Sequence, residues 1–423
     1  MSSLVRGDQA GSPTRQPRWG ARGAPPPVNK AHADVRIESL MRKFMRCLQS
    51  SHWLAAAVAA VVVLSAGPRL AAQPPGAAQQ RQRPEPKMDP ERAKKLYASN
   101  NPDDHSLGRD FQRDIDEKKK TDARFAEASK GVIDFQKVSY RSSVGDLDIP
   151  AYLFQPLQKR GPKGHAAMIW VHGGVHGNMD VLYFPFIKEA VQRGYVIITP
   201  EYRGSTGFGE AFHKAIDYGG YEVEDTMSAV SYLKALPHVD PDRLGMMGWS
   251  HGGFITLHSV FRDEHPFKAA AAIVPVTNLV FRLSYKGPSY QRDYTTQTRL
   301  QGLPFEKPDE YIRRSPLYTV DKLRVPLLVH VATNDTDVNF VEDQQMIDAL
   351  RSRKPDLAET KIYVDPPPGS SGGGHTFSRR TDLKTLERMD TPEQRDSWNR
   401  TWAFFEWHLR PYEDRSKSAT SQQ

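Results

Sequence analysis

Cysteine is all but absent: Cys47 stands alone among 423 residues. A single thiol excludes an intramolecular disulfide framework and a multi-cysteine zinc site. Long apolar runs are also scarce. The longest, Trp53 to Ala66, has fourteen mostly apolar residues, short of the ~20 that span a bilayer as a helix. Excess charge is missing from most of the chain. The formal charge is +8, but residues 1–72 hold ten Lys or Arg against three Asp or Glu. The remainder carries 48 basic and 47 acidic residues. A near-neutral body with a basic head excludes a broad nucleic-acid face. Hydrophobic residues make up 38% and charged residues 26%, so part of the chain is expected outside a core.

The head has the order of an export signal. A positive run at 41–46 precedes the apolar stretch 53–66, and Ala71-Ala72-Gln73 follows. A cut after Ala72 is expected, with translation starting at Met41 or Met45. The alternative is an uncut anchor at 53–66, the only membrane contact expected. Residues 1–40 read as a disordered basic extension. Residues 73–130 read as a polar linker or exposed helix without chemistry, and 413–423 as a disordered tail.

From residue 131 to 412 strands alternate with helices. Val138–Arg141 and Leu147–Phe154 read as a hairpin. Continuous apolar runs at Ala166–Val171, Tyr195–Thr199, Ala269–Val274 and Val325–Ala332 read as strands buried on both faces. Arg243–Gly248 and Thr360–Val364 add two more. Helical spacing recurs at 181–193, 223–236, 252–261, 341–351 and 397–409. The alternation predicts an α/β fold with one doubly wound, mostly parallel sheet flanked by helices. Ligands bind such sheets at the carboxyl ends of the strands.

Gly248-Trp249-Ser250-His251-Gly252 follows a strand and opens a helix. In that setting G-x-S-x-G lifts a serine hydroxyl clear of the backbone. The serine needs a base, and the base an orienting carboxylate, in the chain order Ser, Asp or Glu, His. His330 sits inside a strand and reads as a core residue. His375 follows Gly372-Gly373-Gly374 after the last strand, where a pliable loop can turn it over the site. Asp335 and Asp337 both follow the strand at 325–332. Asp335 is favoured as the acid, with Asp337 as a capping or pocket residue. The amide of His251 is one oxyanion donor, and Gly173 or Gly174 in His172-Gly173-Gly174-Val175-His176-Gly177 is expected to supply another. No metal is expected: the glycines break the helix that His172 and His176 would need to act as ligands.

Together these pieces resemble the catalytic domain of the prolyl oligopeptidase family within the α/β-hydrolases. The resemblance runs over roughly 130–412. It rests on HGGVHG at 172–177, EYRGSTGFGEAF at 201–212, LPHVDPDRLGMMGWSHGGF at 236–254, NDTDVNF at 334–340 and GGGH at 372–375. It implies an α/β-hydrolase fold and a triad of Ser250, Asp335 and His375. It also suggests a substrate pocket at Trp249, Phe281, Tyr285 and Val338, and needs no cofactor. The β-propeller that many family peptidases carry does not fit into the 58 residues between the signal and the hydrolase body. The expected substrate is a small peptide or ester. A carboxylesterase and a catalytically silent binding protein are the rival readings.

Overall fold

The computed structural model of the chain describes residues 109–296, 299–369 and 372–417. The expected basic extension and export signal, residues 73–108 of the expected linker and 418–423 of the tail lie outside the described residues. Among the described residues no helix is long and apolar enough to cross a membrane.

The apolar runs form strands. β1 (Asp134–Arg141) and β2 (Asp148–Gln155) pair as an antiparallel hairpin, and β2 runs antiparallel to β4 (Val196–Pro200). β3 (His165–Val171), β5 (Val239–Trp249), β6 (Phe267–Ile273), β7 (Leu327–Ala332) and β8 (Ala358–Tyr363) continue the sheet in parallel. The order is β1-β2-β4-β3-β5-β6-β7-β8. β3, β4 and β7 are buried along their whole length, as continuous apolar runs require when helices cover both faces. β5 begins four residues earlier than its apolar run. Pro241 is accommodated where the register with β3 slips between the pairs His165↔Val239 and Ala167↔Leu244.

Two cores flank the sheet. One packs α4 (Tyr221–Ala235), α5 (His251–Val260) and α9 (Phe340–Arg353) through residues such as Leu233, Phe254 and Ile347. The other packs α1 (Phe111–Ser129), α2 (Phe184–Gln192) and α10 (Pro392–Leu409) through Phe125, Phe186, Trp398 and Trp402. Between them α3 (Glu210–Lys214) follows β4, and α6 (Leu279–Tyr285), α7 (Pro288–Thr296) and α8 (Pro308–Arg313) cross from β6 to β7.

α1 lies in the segment read as a linker or exposed helix, and it docks through a few buried residues. Phe125 is fully buried against Phe135, Tyr152, Phe154 and Phe184, and Lys118 is buried as well. Its remaining residues are mostly polar, so one aromatic anchor carries the packing and no apolar period marks it.

Candidate active site

Ser250 sits between β5 and α5 with φ 54° and ψ −118°. A non-glycine residue in that region is strained and persists only where its surroundings fix it. Here Ser250 N–H donates to Ile273 O (3.0 Å), and its carbonyl accepts from Phe254 N–H (2.9 Å). Gly252 makes the turn feasible: a Cβ there would lie 2.3 Å from Val171 O. The start of α5 can therefore press against the end of β3. The first amides of α5, His251 among them, lie beyond the reach of intrahelical acceptors.

The loops after β7 and β8 meet at the same edge. His375 Nδ1 lies 2.7 Å from Asp335 Oδ2, and both side chains are buried. The other carboxylate oxygen of Asp335 accepts from the N–H groups of Asp337 (2.8 Å) and Val338 (2.9 Å), which fixes its orientation. The glycine run brings the loops together. Asp335 bridges to Gly373, and a Cβ on Gly373 would fall 2.3 Å from Asn334 O. The histidine loop is also tied to the serine turn. Trp249 Nε1–H donates to Ser378 Oγ and Trp398 Nε1–H to Ser378 O, each at 2.9 Å. Among the described residues no hydrogen bond joins Ser250 Oγ to His375. Such bonds commonly tighten only when substrate is bound.

The loop at 172–177 passes close to the serine. A Cβ on Gly173 would lie 3.3 Å from Ser250 Cβ. Gly173 N–H donates to Tyr183 Oη (3.3 Å), which also accepts from Arg379 (2.6 Å).

The residues expected in the pocket fall in different surroundings. Trp249 is only 1% exposed; it stacks on Trp170 (5.6 Å) and packs at a tilt against Trp398 (5.3 Å), because its side chain points into the core beneath the turn. Val338 is fully buried and packs in the α4–α5–α9 core. Asp337 does not cap α9; Asn339 does, accepting from Val341 N–H (2.9 Å). Asp337 instead is 43% exposed, with Oδ2 3.4 Å from His375 Nε2. Burial alone would raise its carboxyl, but His375, Arg282 and Lys286 outweigh burial and hold it below the usual value. Phe281 and Tyr285 lie on α6, half-buried, with rings 5.5 Å apart. The Tyr285 hydroxyl accepts from Arg282 (2.9 Å) and from Asn339 N–H (3.1 Å).

Sequence reasoning missed a buried polar group beside the acid loop. Arg282 donates to Tyr290 Oη (2.8 Å) and Asp337 O (3.3 Å) and faces Glu342 (3.5 Å). Glu342 in turn accepts from Thr277 N–H (2.7 Å). No local pattern marks these residues, since Asp337 and Glu342 lie more than 50 positions from Arg282. His330, expected in the core, is there: burial holds it neutral, lowered to about 3, and its Nδ1 meets Ser397 Oγ (2.9 Å). Among the described residues no group of three or more His, Cys, Asp or Glu could hold a metal ion.

A model of the prolyl oligopeptidase family matches residues 183–386. The uncharacterized peptidase YuxL of Bacillus subtilis (strain 168) is 30% identical over 247 residues, covering 58% of this chain and 36% of that one. The acylamino-acid-releasing enzyme of Homo sapiens is 28% identical over 217 residues, 49% of this chain and 29% of its own length. The chain thus spans about a third of the length of these curated relatives. Among solved structures, an acylaminoacyl peptidase of Pyrococcus horikoshii superposes with a TM-score of 0.53 at 20% identity, covering 69% of this chain and 44% of that one. A puromycin-hydrolyzing peptidase of Mycobacterium tuberculosis gives 0.51 at 23% identity, covering 65% and 39%. These likenesses establish the α/β-hydrolase fold. Among the described residues there is no β-propeller.

Proposed function

We propose, from the match of a prolyl oligopeptidase family model to residues 183–386, that the protein is an exported serine peptidase of that family. Its substrate is a short peptide or a small ester, cleaved through an acyl-enzyme. Ser250 Oγ attacks the carbonyl carbon while His375 Nε2 takes the hydroxyl proton, and Asp335 holds the imidazole through Nδ1. The tetrahedral oxyanion is received by two amides. His251, just after the nucleophile, supplies one. Gly174 supplies the second, because the Gly173 amide is already engaged by Tyr183. Collapse breaks the bond to the leaving group, which receives the proton from His375. Water, deprotonated by the same imidazole, then releases the acid and restores Ser250.

The observation that carries this reading is the buried 2.7 Å contact between His375 and Asp335 beside a strained serine turn. The names of the relatives, acylamino-acid-releasing enzyme among them, favour a peptide over an ester. A fluorophosphonate probe is expected to label the wild type and not Ser250→Ala. Turnover in Ser250→Ala is expected to fall by at least about 10⁴-fold. Equal labelling of the two proteins overturns the assignment. Rates on p-nitrophenyl acyl esters against acyl-peptide p-nitroanilides then decide between ester and peptide.

A further inference from the structure

We propose that α1, which precedes the matched family region, is a positioning element of the active site that holds the oxyanion loop 172–177 in place. The inference rests on the reading above, in which that loop supplies an oxyanion amide.

α1 and the residue before its cap reach the two ends of the loop through Glu201, Thr206 and His213. At the first end, Lys118 pairs with Glu201; just past the far end it also donates to Met179 O (3.2 Å). Glu201 Oε1 also accepts from Met179 N–H (3.1 Å), and Glu201 Oε2 lies 3.3 Å from His172 Nε2. His172 immediately precedes Gly173 and Gly174, and it is clamped further by Ser205 Oγ (3.0 Å) and by stacking on Tyr202 (4.4 Å). At the far end, Arg109, just before the N-cap of α1, donates to Thr206 Oγ1 (2.9 Å). Thr206 donates its hydroxyl to His176 O and its N–H to Gly177 O (2.8 Å). Phe111 meets His213 edge-on (5.3 Å), and His213 stacks face to face on His176 (3.7 Å).

The chemistry of the first contact argues for positioning. Lys118, Glu201 and His172 are all buried. A buried ion pair contributes little net stability, because desolvation offsets the attraction. It does impose geometry, since neither charge tolerates losing its partner. Burial pushes the Glu201 carboxyl up, but Lys118 and His172 outweigh burial and hold it below its ordinary value. The carboxylate is therefore charged and demands both neighbours. An oxyanion donor must sit within a few tenths of an ångström of its acceptor to act. A helix that fixes His172 and His176 at once fixes the two residues between which the loop bends.

The test uses the full chain with Lys118→Met and Glu201→Gln combined, so that no buried charge is left unpaired, beside Lys119→Met on the exposed face as control. Hydrogen exchange read by mass spectrometry is expected to speed up by about 10-fold or more across 172–177 in the double variant, with β5 and β6 unchanged. On an acyl-peptide p-nitroanilide, kcat is expected to fall on the order of 10-fold with KM within about twofold, since full loss of one oxyanion donor costs ~10²–10³. Lys119→Met changes neither. Unchanged exchange in the loop overturns the proposal, and so does faster exchange with unchanged kcat. Full turnover in Ser250→Ala instead overturns the reading of the active site, while the exchange measurement still decides whether α1 holds the loop.

Discussion

Glu222 shows how one residue ties the site to pH. It is fully buried at the start of α4, accepting N–H bonds from Gly219 and Gly220 (3.2 Å for the second), with Oε1 3.5 Å from His251 Nε2. Burial, and then the nearby Asp217, push its carboxyl up to about 8. His251 offers no compensating charge, because burial lowers it to about 3 and keeps it neutral. The sign follows from linkage. An acid whose folded value lies above its unfolded one contributes stability below the unfolded value, and loses it as pH rises through the folded one. Between pH 5 and 8 the unfolded chain is ionised at Glu222 and the native chain is not. Glu222→Gln keeps a carbonyl acceptor for one of the two amides and removes that proton, so any lost bond adds an offset that does not change with pH. Urea titrations are expected to show the variant gaining on wild type with rising pH, at up to about 1.4 kcal/mol per pH unit. A constant difference between the two proteins across that window would rule the account out. Asp337, close in sequence to Asp335, behaves oppositely: exposed on one side and faced by His375, Arg282 and Lys286, its carboxyl is held below the usual value despite burial.

At the scale of elements, caps and anchors decide where helices begin. α10 starts at Pro392, five residues before its apolar pattern becomes visible. Thr391 accepts from Gln394 N–H (3.2 Å), and proline occupies the first turn, where its missing N–H is no loss. Those two signals were present in the sequence and mark the true start better than periodicity does. Thr391→Ala is expected to cost about 1 kcal/mol of stability in denaturant titration, without changing KM. No cost would mean that Trp398 and Trp402 alone hold the helix. α1 gives the contrasting case. Its cap is legible, since Asp110 accepts from Arg113 N–H (2.9 Å), but its docking is not. Nothing within nineteen mostly polar residues announces that Lys118 will meet a carboxylate 83 positions away.

Across the whole molecule, the interior holds several histidines neutral. Burial lowers His251 and His330 to about 3 and His258 to about 4. A base whose folded value is depressed contributes stability above its unfolded value, near 6.5, and loses it as pH falls toward the folded one. Stability is therefore expected to drop steeply between pH 6 and 4, with His330→Gln flattening the slope. A thermal midpoint unchanged over that range would contradict this. The sequence by itself determined the parallel sheet, because strands covered on both faces must be apolar throughout. It also determined that Ser250, Asp335 and His375 each follow a strand end, and all such ends share one edge. Only the tertiary structure decided that Trp249 and Val338 are core residues, that Gly173 is bonded to Tyr183, and that α1 reaches the loop at 172–177. Those outcomes depend on which distant groups meet once two helical layers close on the sheet, and a local pattern carries no record of such meetings.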